Sequence, residues 1–188
     1  RLKKEIAEEY PLIFQKTKGK ITKISDRISW ISTNEIQQQT IIQINFPCYK
    51  NFHKYNQYVS VLSNILSNGI SGRLVEEVRI KHGLTYSIES DYITFNDFGI
   101  FSISVGVQND KIYKAIQLIL DVLKELKING INGIELNRAK NQQMTEMMIT
   151  FQKQLSYFSY YMKTLYYNYE IGQLEDIIEE LNNVTIHD

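Results

Sequence analysis

The sequence contains few of the residues that would indicate a disulfide-rich, metal-binding or strongly charged protein. Its 188 residues include one cysteine, three histidines and two prolines. A single cysteine excludes an intrachain disulfide and favours a reducing, intracellular compartment. Lysine plus arginine and aspartate plus glutamate both total 21, so the formal net charge is zero. Neutrality argues against nucleic-acid binding and membrane-surface binding, and no apolar run is long enough to span a bilayer.

The histidines lack the spacing of a catalytic zinc site. Such a site on a helix needs two histidines one turn apart and a glutamate that activates water. His53, His82 and His187 are separated by far more than one turn. The glutamate doublets at 8–9, 76–77 and 179–180 are more typical of solvated helix faces than of acid–base pairs. We therefore predict neither a metal site nor a catalytic residue within this chain.

Hydrophobic periodicity predicts an α+β fold. Apolar residues alternate in four predicted strands, at 21–32, 40–46, 87–95 and 100–107. Repeats of three and four predict helices at 55–66, from Asp110 towards Gly130, and at 134–151, 152–169 and 173–181. This order predicts an antiparallel β-sheet with helices packed on one face. We expect residues 1–19 to form a linker or N-terminal extension and residues 20–188 to form a single domain.

One face of the fourth predicted strand consists of small residues. Ser102, Ser104 and Gly106 alternate with the apolar residues of the opposite face. Small side chains leave room for another element to lie against the sheet. A packed helix is the expected occupant, and a bound ligand is the alternative.

Residues 68–86 combine the signals for a short helix with those for a following strand. Gly69 can adopt the left-handed conformation that ends a helix, and Ser71 can cap the next one. Gly83 supplies a second helix stop, after which residues 84–88 have the composition of a strand. The short helix therefore ends close to the first residues of the strand.

Arg79 and Tyr86 are the candidate binding residues of this stretch. Arg79 falls in the last turn of the predicted helix, and Tyr86 falls at the start of the predicted strand. A guanidinium presents a fixed fork of donors, and a phenol adds one O–H donor. Together they can hold an extended peptide or stabilise an oxyanion. The alternative is that Arg79 pairs with Glu76 and Tyr86 is an ordinary strand aromatic.

Two segments carry a longer pattern, GISGRLVEEVRIKHGLTYSI at 69–88 and DFGIFSI at 97–103. The pattern is a turn of small residues, Arg-Leu, an acidic helix, Arg-x-x-x-Gly-Leu-x-Tyr-Ser and then Asp-x-Gly-x-Phe. It resembles the pitrilysin or insulinase family of zinc peptidases, peptidase family M16. The resemblance is to the C-terminal half, which carries no zinc. It implies that Arg79 and Tyr86 bind substrate.

The resemblance also implies a fold, a cofactor and partners. It implies one half of a metallopeptidase clamshell, of the LuxS/insulinase-like type. Zinc would belong to the N-terminal half, which lies in the same chain or in another. That half and a peptide substrate would be the partners of this domain. The resemblance leaves open whether the protein forms a dimer. The implied function is substrate binding for a zinc metalloendopeptidase, and the alternative is a non-catalytic structural or recognition subunit. Because family domains continue with another helix and strand, we expect those two elements beyond Asp188.

Tyrosine is concentrated in the predicted helix at 152–169. Tyrosine is common at wet interfaces and peptide-binding walls, because its ring is apolar and its tip is polar. A helix face packed on its neighbour is the alternative, and it is the usual role of an aromatic stripe. The residues are Tyr157, Tyr160, Tyr161, Tyr166, Tyr167 and Tyr169.

Overall fold

The structure is a computed structural model that describes residues 39–166 and 174–187. In these residues, three antiparallel strands form one sheet in the order β1-β3-β2. They are β1 (Gln39–Cys48), β2 (Ile88–Thr94) and β3 (Gly99–Gln108). The predicted strand at 21–32 and the predicted extension at 1–19 lie outside the described residues.

Helices account for most of the remaining described chain. In chain order they are α1 (Asn56–Ser67), a π-helix (Val75–Lys81), a 3₁₀ turn (Asn109–Lys111), α2 (Ile112–Asn129), α3 (Gly133–Gln152), α4 (Gln154–Tyr166) and α5 (Leu174–Asn182). The predicted α+β class is confirmed, with a small antiparallel sheet and packed helices. None of these helices has both the length and the apolar character needed to cross a membrane.

The register of the sheet matches the alternation of apolar and polar residues along the strands. Ile42 lies opposite Val105 and Ile44 lies opposite Ile103, so the apolar residues of β1 and β3 share one face. Ile103 is fully buried on that face. β1 continues through Pro47 to Cys48, so the predicted end at residue 46 is wrong. Proline's fixed backbone angle is compatible with a β-edge position, although proline has no N–H for the ladder.

Two apolar clusters hold the helices to the sheet and to one another. The first lies between the core face of the sheet, the π-helix, α1 and α2, and includes Leu66, Val75, Val78, Ile103 and Ile119. The second joins α1, α3 and α5 through Val61, Ile65, Leu136, Ala139 and Leu181. α1 therefore buries side chains in both clusters, and burial of this apolar surface is the main stabilising term.

The opposite face of the sheet, which we term the open face, is not covered by any helix of the described chain. Its β1 residues are exposed, and 77% of the Ile41 surface is accessible. Glu89 and Asp91 of β2 are also exposed on this side. In the middle of the face, Ser102 is buried and Ser104 and Gly106 are half-buried, so the exposure is greatest on the two outer strands. The expectation that a helix packs here stays a prediction, because it concerns more of the chain than the described residues. The open face comprises Ile41, Gln43, Asn45, Glu89, Asp91, Ile93, Ser102, Ser104 and Gly106.

Candidate functional site

The stretch at 68–86 forms the predicted short helix, but with π geometry. Gly69 and Gly83 have φ angles of 67° and 58°, so both helix-ending glycines are left-handed as predicted. Helical hydrogen bonding begins at the Gly72 carbonyl, and the Ser71 hydroxyl caps no backbone N–H of this helix, so the predicted Ser71 cap is wrong. π-helices are rare and often occur at functional sites, because one extra residue per turn changes where the following side chains point.

Arg79 and Tyr86 are brought together at the end of this helix. The Arg79 guanidinium carbon lies 5.1 Å from the centre of the Tyr86 ring, which is cation–π geometry. Both side chains are exposed, and 84% of the Tyr86 surface is accessible. The expected proximity of the two residues is confirmed. However, β2 begins only at Ile88, so Tyr86 precedes the strand instead of starting it.

Thr85 holds the segment before β2 against the neighbouring strand. Its hydroxyl lies 2.7 Å from the carbonyl oxygens of both Ser87 and Gly106. The same hydroxyl oxygen accepts a hydrogen bond from the Ser87 N–H at 3.2 Å. A side chain that bonds to nearby backbone competes with ladder pairing. Tyr86 is consequently presented outside the sheet, beside the end of β3 that carries Gly106.

The pairing of Arg79 with Glu76 is not what the structure shows. Lys81 instead forms ion pairs with both acidic residues of the helix, with Glu76 at 3.2 Å and with Glu77 at 3.1 Å. Those two hydrogen bonds raise the pKa of Lys81. Among the described residues, Arg79 forms no ion pair with a carboxylate. Its guanidinium N–H groups therefore remain available to a ligand while the Tyr86 ring holds the group in place.

The outer edge of β2 is closed by side chains, a feature that sequence reasoning missed. The Ser90 N–H donates to the Ser67 hydroxyl at 2.7 Å, and the Ser63 hydroxyl donates to the Ser90 carbonyl at 2.7 Å. The Tyr92 N–H donates to an Asp91 carboxylate oxygen at 2.7 Å. Serines spaced by three and four on α1 were the available signal. A peptide strand cannot pair with backbone groups that are already bonded.

Zinc does not fit the described part of this chain. No group of three or more His, Cys, Asp or Glu side chains in it could hold a metal ion. The His53 ring stacks on Tyr49 at 4.4 Å, and its Nδ1 accepts the Tyr55 N–H at 3.3 Å. The Nδ1 of His82 lies 2.8 Å from the Glu77 carbonyl, at the end of the π-helix. The two imidazoles are thus engaged in separate local contacts.

The tyrosine-rich helix is only weakly packed. In α4, Thr164 is fully buried, whereas the exposed fractions of Leu155, Tyr157 and Phe158 are 77%, 51% and 58%. Tyr157 nevertheless contacts the Phe151 ring of α3, with ring centres 5.8 Å apart, and Tyr160 contacts the same ring at 5.2 Å, so the packed-face interpretation is confirmed in part. Burial raises the pKa of Tyr160, which is better enclosed. Tyr167 and Tyr169 lie outside the described residues.

Comparison with known proteins agrees with the fold and the sequence pattern. Residues 2–143 match the family model described as the peptidase M16 inactive domain. An uncharacterised zinc protease of Bacillus subtilis (strain 168) is 31% identical over 126 residues, which are 67% of this chain and 31% of that protein. This chain therefore spans about a third of that relative's length.

Two solved structures share the fold. The peptidase M16 inactive domain from Pseudomonas fluorescens has a TM-score of 0.72 at 24% identity, covering 80% of this chain and 36% of that one. The inactive peptidase domain of a zinc protease from Bordetella parapertussis has a TM-score of 0.66 at 14% identity, covering 84% and 85%. In this family the zinc belongs to the partner half. Since the family model matches most of its residues, the chain belongs to the M16 family of zinc peptidases, as the inactive C-terminal half.

Proposed function

We propose that this domain binds the peptide substrate for a zinc metalloendopeptidase whose zinc-bearing half lies in the same chain or another. Bound zinc would supply the activated water for peptide hydrolysis in that partner half. The present domain would orient the peptide. The observation that carries this proposal is the exposed Arg79–Tyr86 pair at the end of the π-helix.

The chemistry of the pair suits a peptide backbone. A guanidinium donates a fork of hydrogen bonds that matches a carbonyl or carboxylate, and a phenol donates one more. The Tyr86 ring restrains the Arg79 side chain at 5.1 Å, so less side-chain entropy is lost when a ligand binds. The acidic residues of the helix are already paired with Lys81, which leaves Arg79 uncompensated within the described residues.

The surroundings favour one route for the peptide over another. Strand addition at the outer edge of β2 is blocked at Ser90 and Tyr92. Thr85, which precedes Tyr86, contacts the Gly106 carbonyl at 2.7 Å, and Gly106 belongs to the open face and has no side chain to obstruct an approaching backbone. We therefore infer that an extended peptide passes the Arg79–Tyr86 pair along the open face, instead of joining the sheet at β2.

Replacement of Tyr86 by phenylalanine tests the proposal in the full-length protein. Tyr86→Phe removes one O–H donor and almost no volume, so we expect peptide turnover to fall about ten-fold or more with little change in melting temperature. Tyr113→Phe, at a tyrosine of α2 that is 87% exposed, is the matched control and should leave turnover unchanged. Equal turnover in Tyr86→Phe and the unmodified protein would remove Tyr86 from the mechanism.

A further inference from the structure

We propose that Arg73 and Glu135 are positioning residues for the substrate-binding pair: their ion pair fixes the π-helix so that Arg79 lies over Tyr86. This inference rests on the proposed function of that pair. Arg73 lies just before the π-helix, and Glu135 lies in the first turn of α3. Neither residue is near enough in sequence to the other for the contact to be local, since 62 positions separate them.

The contact between them is bidentate and largely enclosed. The Nε and Nη2 atoms of Arg73 donate to the two carboxylate oxygens of Glu135 at 2.7 Å and 2.8 Å. Nη2 also donates to the Gly130 carbonyl at 2.9 Å, at the end of α2. The two side chains are only 19% and 16% exposed. A planar fork of this kind constrains orientation as well as distance.

Glu135 is itself held in place by the start of α3. Its N–H donates to the Asn132 side chain at 2.9 Å, and its carboxylate accepts the Asn132 N–H at 3.0 Å, which forms a capping box. One turn later, Arg138 donates to the Ser71 carbonyl at 2.7 Å. The first two turns of α3 therefore hold the chain before the π-helix at two points.

The backbone before the π-helix is also confined from the other side. A Cβ atom on Gly72 would lie 2.9 Å from the backbone of Leu66 and Ser67, at the end of α1. Glu76 then donates its N–H to the Gly72 carbonyl at 2.8 Å, which starts the helical hydrogen bonding. The direction in which the π-helix leaves this corner is set by α1, α2 and α3 together.

Arg79 and Tyr86 are anchored by different parts of the molecule. Arg79 lies on the π-helix, which starts next to Arg73, whereas Tyr86 follows Thr85, whose hydroxyl contacts the Gly106 carbonyl of β3 at 2.7 Å. The Arg79–Tyr86 contact therefore bridges a helix held by α3 and a segment held by the sheet. Loosening the Arg73–Glu135 pair should move Arg79 relative to Tyr86.

Stability alone does not account for this pair. The Nη1 atom of Arg73 is buried and has no hydrogen-bond partner among the described residues, and an unpaired buried donor costs free energy. Buried ion pairs are often no more stabilising than apolar residues of the same size. What the arrangement provides instead is a defined geometry at the start of the π-helix.

A double-mutant cycle on the full-length protein tests the inference. We expect Arg73→Lys and Glu135→Gln each to lower kcat about ten-fold at temperatures where the variants remain folded, because a lysine cannot reproduce the fork. In the Tyr86→Phe background the same changes should cost less than about two-fold, because coupled residues are not additive. Lys114→Gln, at an exposed lysine of α2 away from both ion pairs, is the control and should leave kcat unchanged.

The outcomes separate this inference from the proposed function. Two results overturn the positioning role while the substrate-binding role of Tyr86 stands. One is that the effects of Arg73→Lys and Tyr86→Phe on kcat are fully additive. The other is that kcat is unchanged in Arg73→Lys and Glu135→Gln. Unchanged turnover in Tyr86→Phe alone overturns the proposed function itself. Melting curves of each variant identify any loss of kcat that comes from unfolding.

Discussion

At the scale of single residues, ion pairing determines which charged side chains stay available to a ligand. Arg73 donates to Glu135, and this hydrogen bond holds the pKa of Glu135 below its ordinary value, although burial opposes the shift. Lys81 occupies Glu76 and Glu77, which frees Arg79. The functional difference between the two cations of the π-helix therefore follows from which of them reaches the acidic residues.

The lowered pKa of Glu135 predicts a pH dependence of stability. Because the carboxyl pKa is lower in the folded than in the unfolded state, its stabilisation is complete above the unfolded value and is lost as pH falls through the folded value. We expect Glu135→Gln to lower the free energy of unfolding by about 1–3 kcal/mol at pH 7, since it leaves Arg73 without its charged partner. Denaturant unfolding from pH 7 to pH 3 should show the difference shrinking towards the acid end.

Glu179→Gln is the control for this measurement, because Glu179 is exposed on α5. It should change the free energy of unfolding by less than about 0.5 kcal/mol throughout the pH range. A Glu135→Gln difference that stayed constant down to pH 3 would contradict an ionic contribution from the pair.

At the scale of elements, β3 depends on a close backbone approach at its first residue. A Cβ atom on Gly99 would lie only 2.1 Å from the Tyr49 carbonyl oxygen, and that contact is to rigid backbone. We expect Gly99→Ala to lower the free energy of unfolding by about 3 kcal/mol, because β1 and β3 must separate to admit the methyl group. Thermal or denaturant unfolding would measure the loss.

Gly106→Ala provides the comparison within the same strand. A Cβ atom at Gly106 meets only the flexible end of Gln39, at an ordinary 3.8 Å. The expected change is within about 1 kcal/mol. Equal losses in the two variants would show that the cost comes from the backbone freedom of glycine and not from the contact with Tyr49.

Much of the element order could be predicted from periodicity, but the edges and contacts of the elements could not. The alternation from Phe101 to Val107 correctly identified the buried face of β3, because apolar burial imposes a period of two on a strand. The π geometry of Val75–Lys81 was missed, since seven residues are too few to distinguish helix periods. The closure of β2 by Ser63 and Ser67 was also missed, because it depends on a helix packing beside the strand.

The candidate site was predicted in part. The pattern at 69–88 correctly brought Arg79 and Tyr86 together, because two glycine stops force a short helix to end beside the next strand. It did not reveal that Lys81 would outcompete Arg79 for Glu76. Nor did it indicate the Arg73–Glu135 contact, since long-range pairs leave no periodic signal in one sequence. The substrate-binding role of Arg79 and Tyr86 stays a prediction until variants are measured.

At the scale of the whole molecule, this chain corresponds to only part of the length of its relatives. Its relative from Bacillus subtilis is about three times as long as the matched segment, which covers 31% of it. Under the proposed function, this half binds and orients the peptide, so its contribution to the rate depends on how it faces the zinc-bearing half. The proposed domain boundaries and the intracellular location stay predictions.

Metal content distinguishes the two functions open to such a half. We expect the natural full-length protein to hold about one zinc ion, and a chelator to abolish its peptide cleavage, whereas the 188-residue chain should bind no zinc tightly and cleave nothing. The reason is that the chain has only three histidines and one cysteine, and its described residues cluster no metal-binding group. Elemental analysis after dialysis, with cleavage assays on both proteins, makes the measurement. Stoichiometric zinc on the 188-residue chain would contradict this assignment of the metal to the partner half. A full-length protein with neither zinc nor cleavage would favour the non-catalytic recognition or structural role.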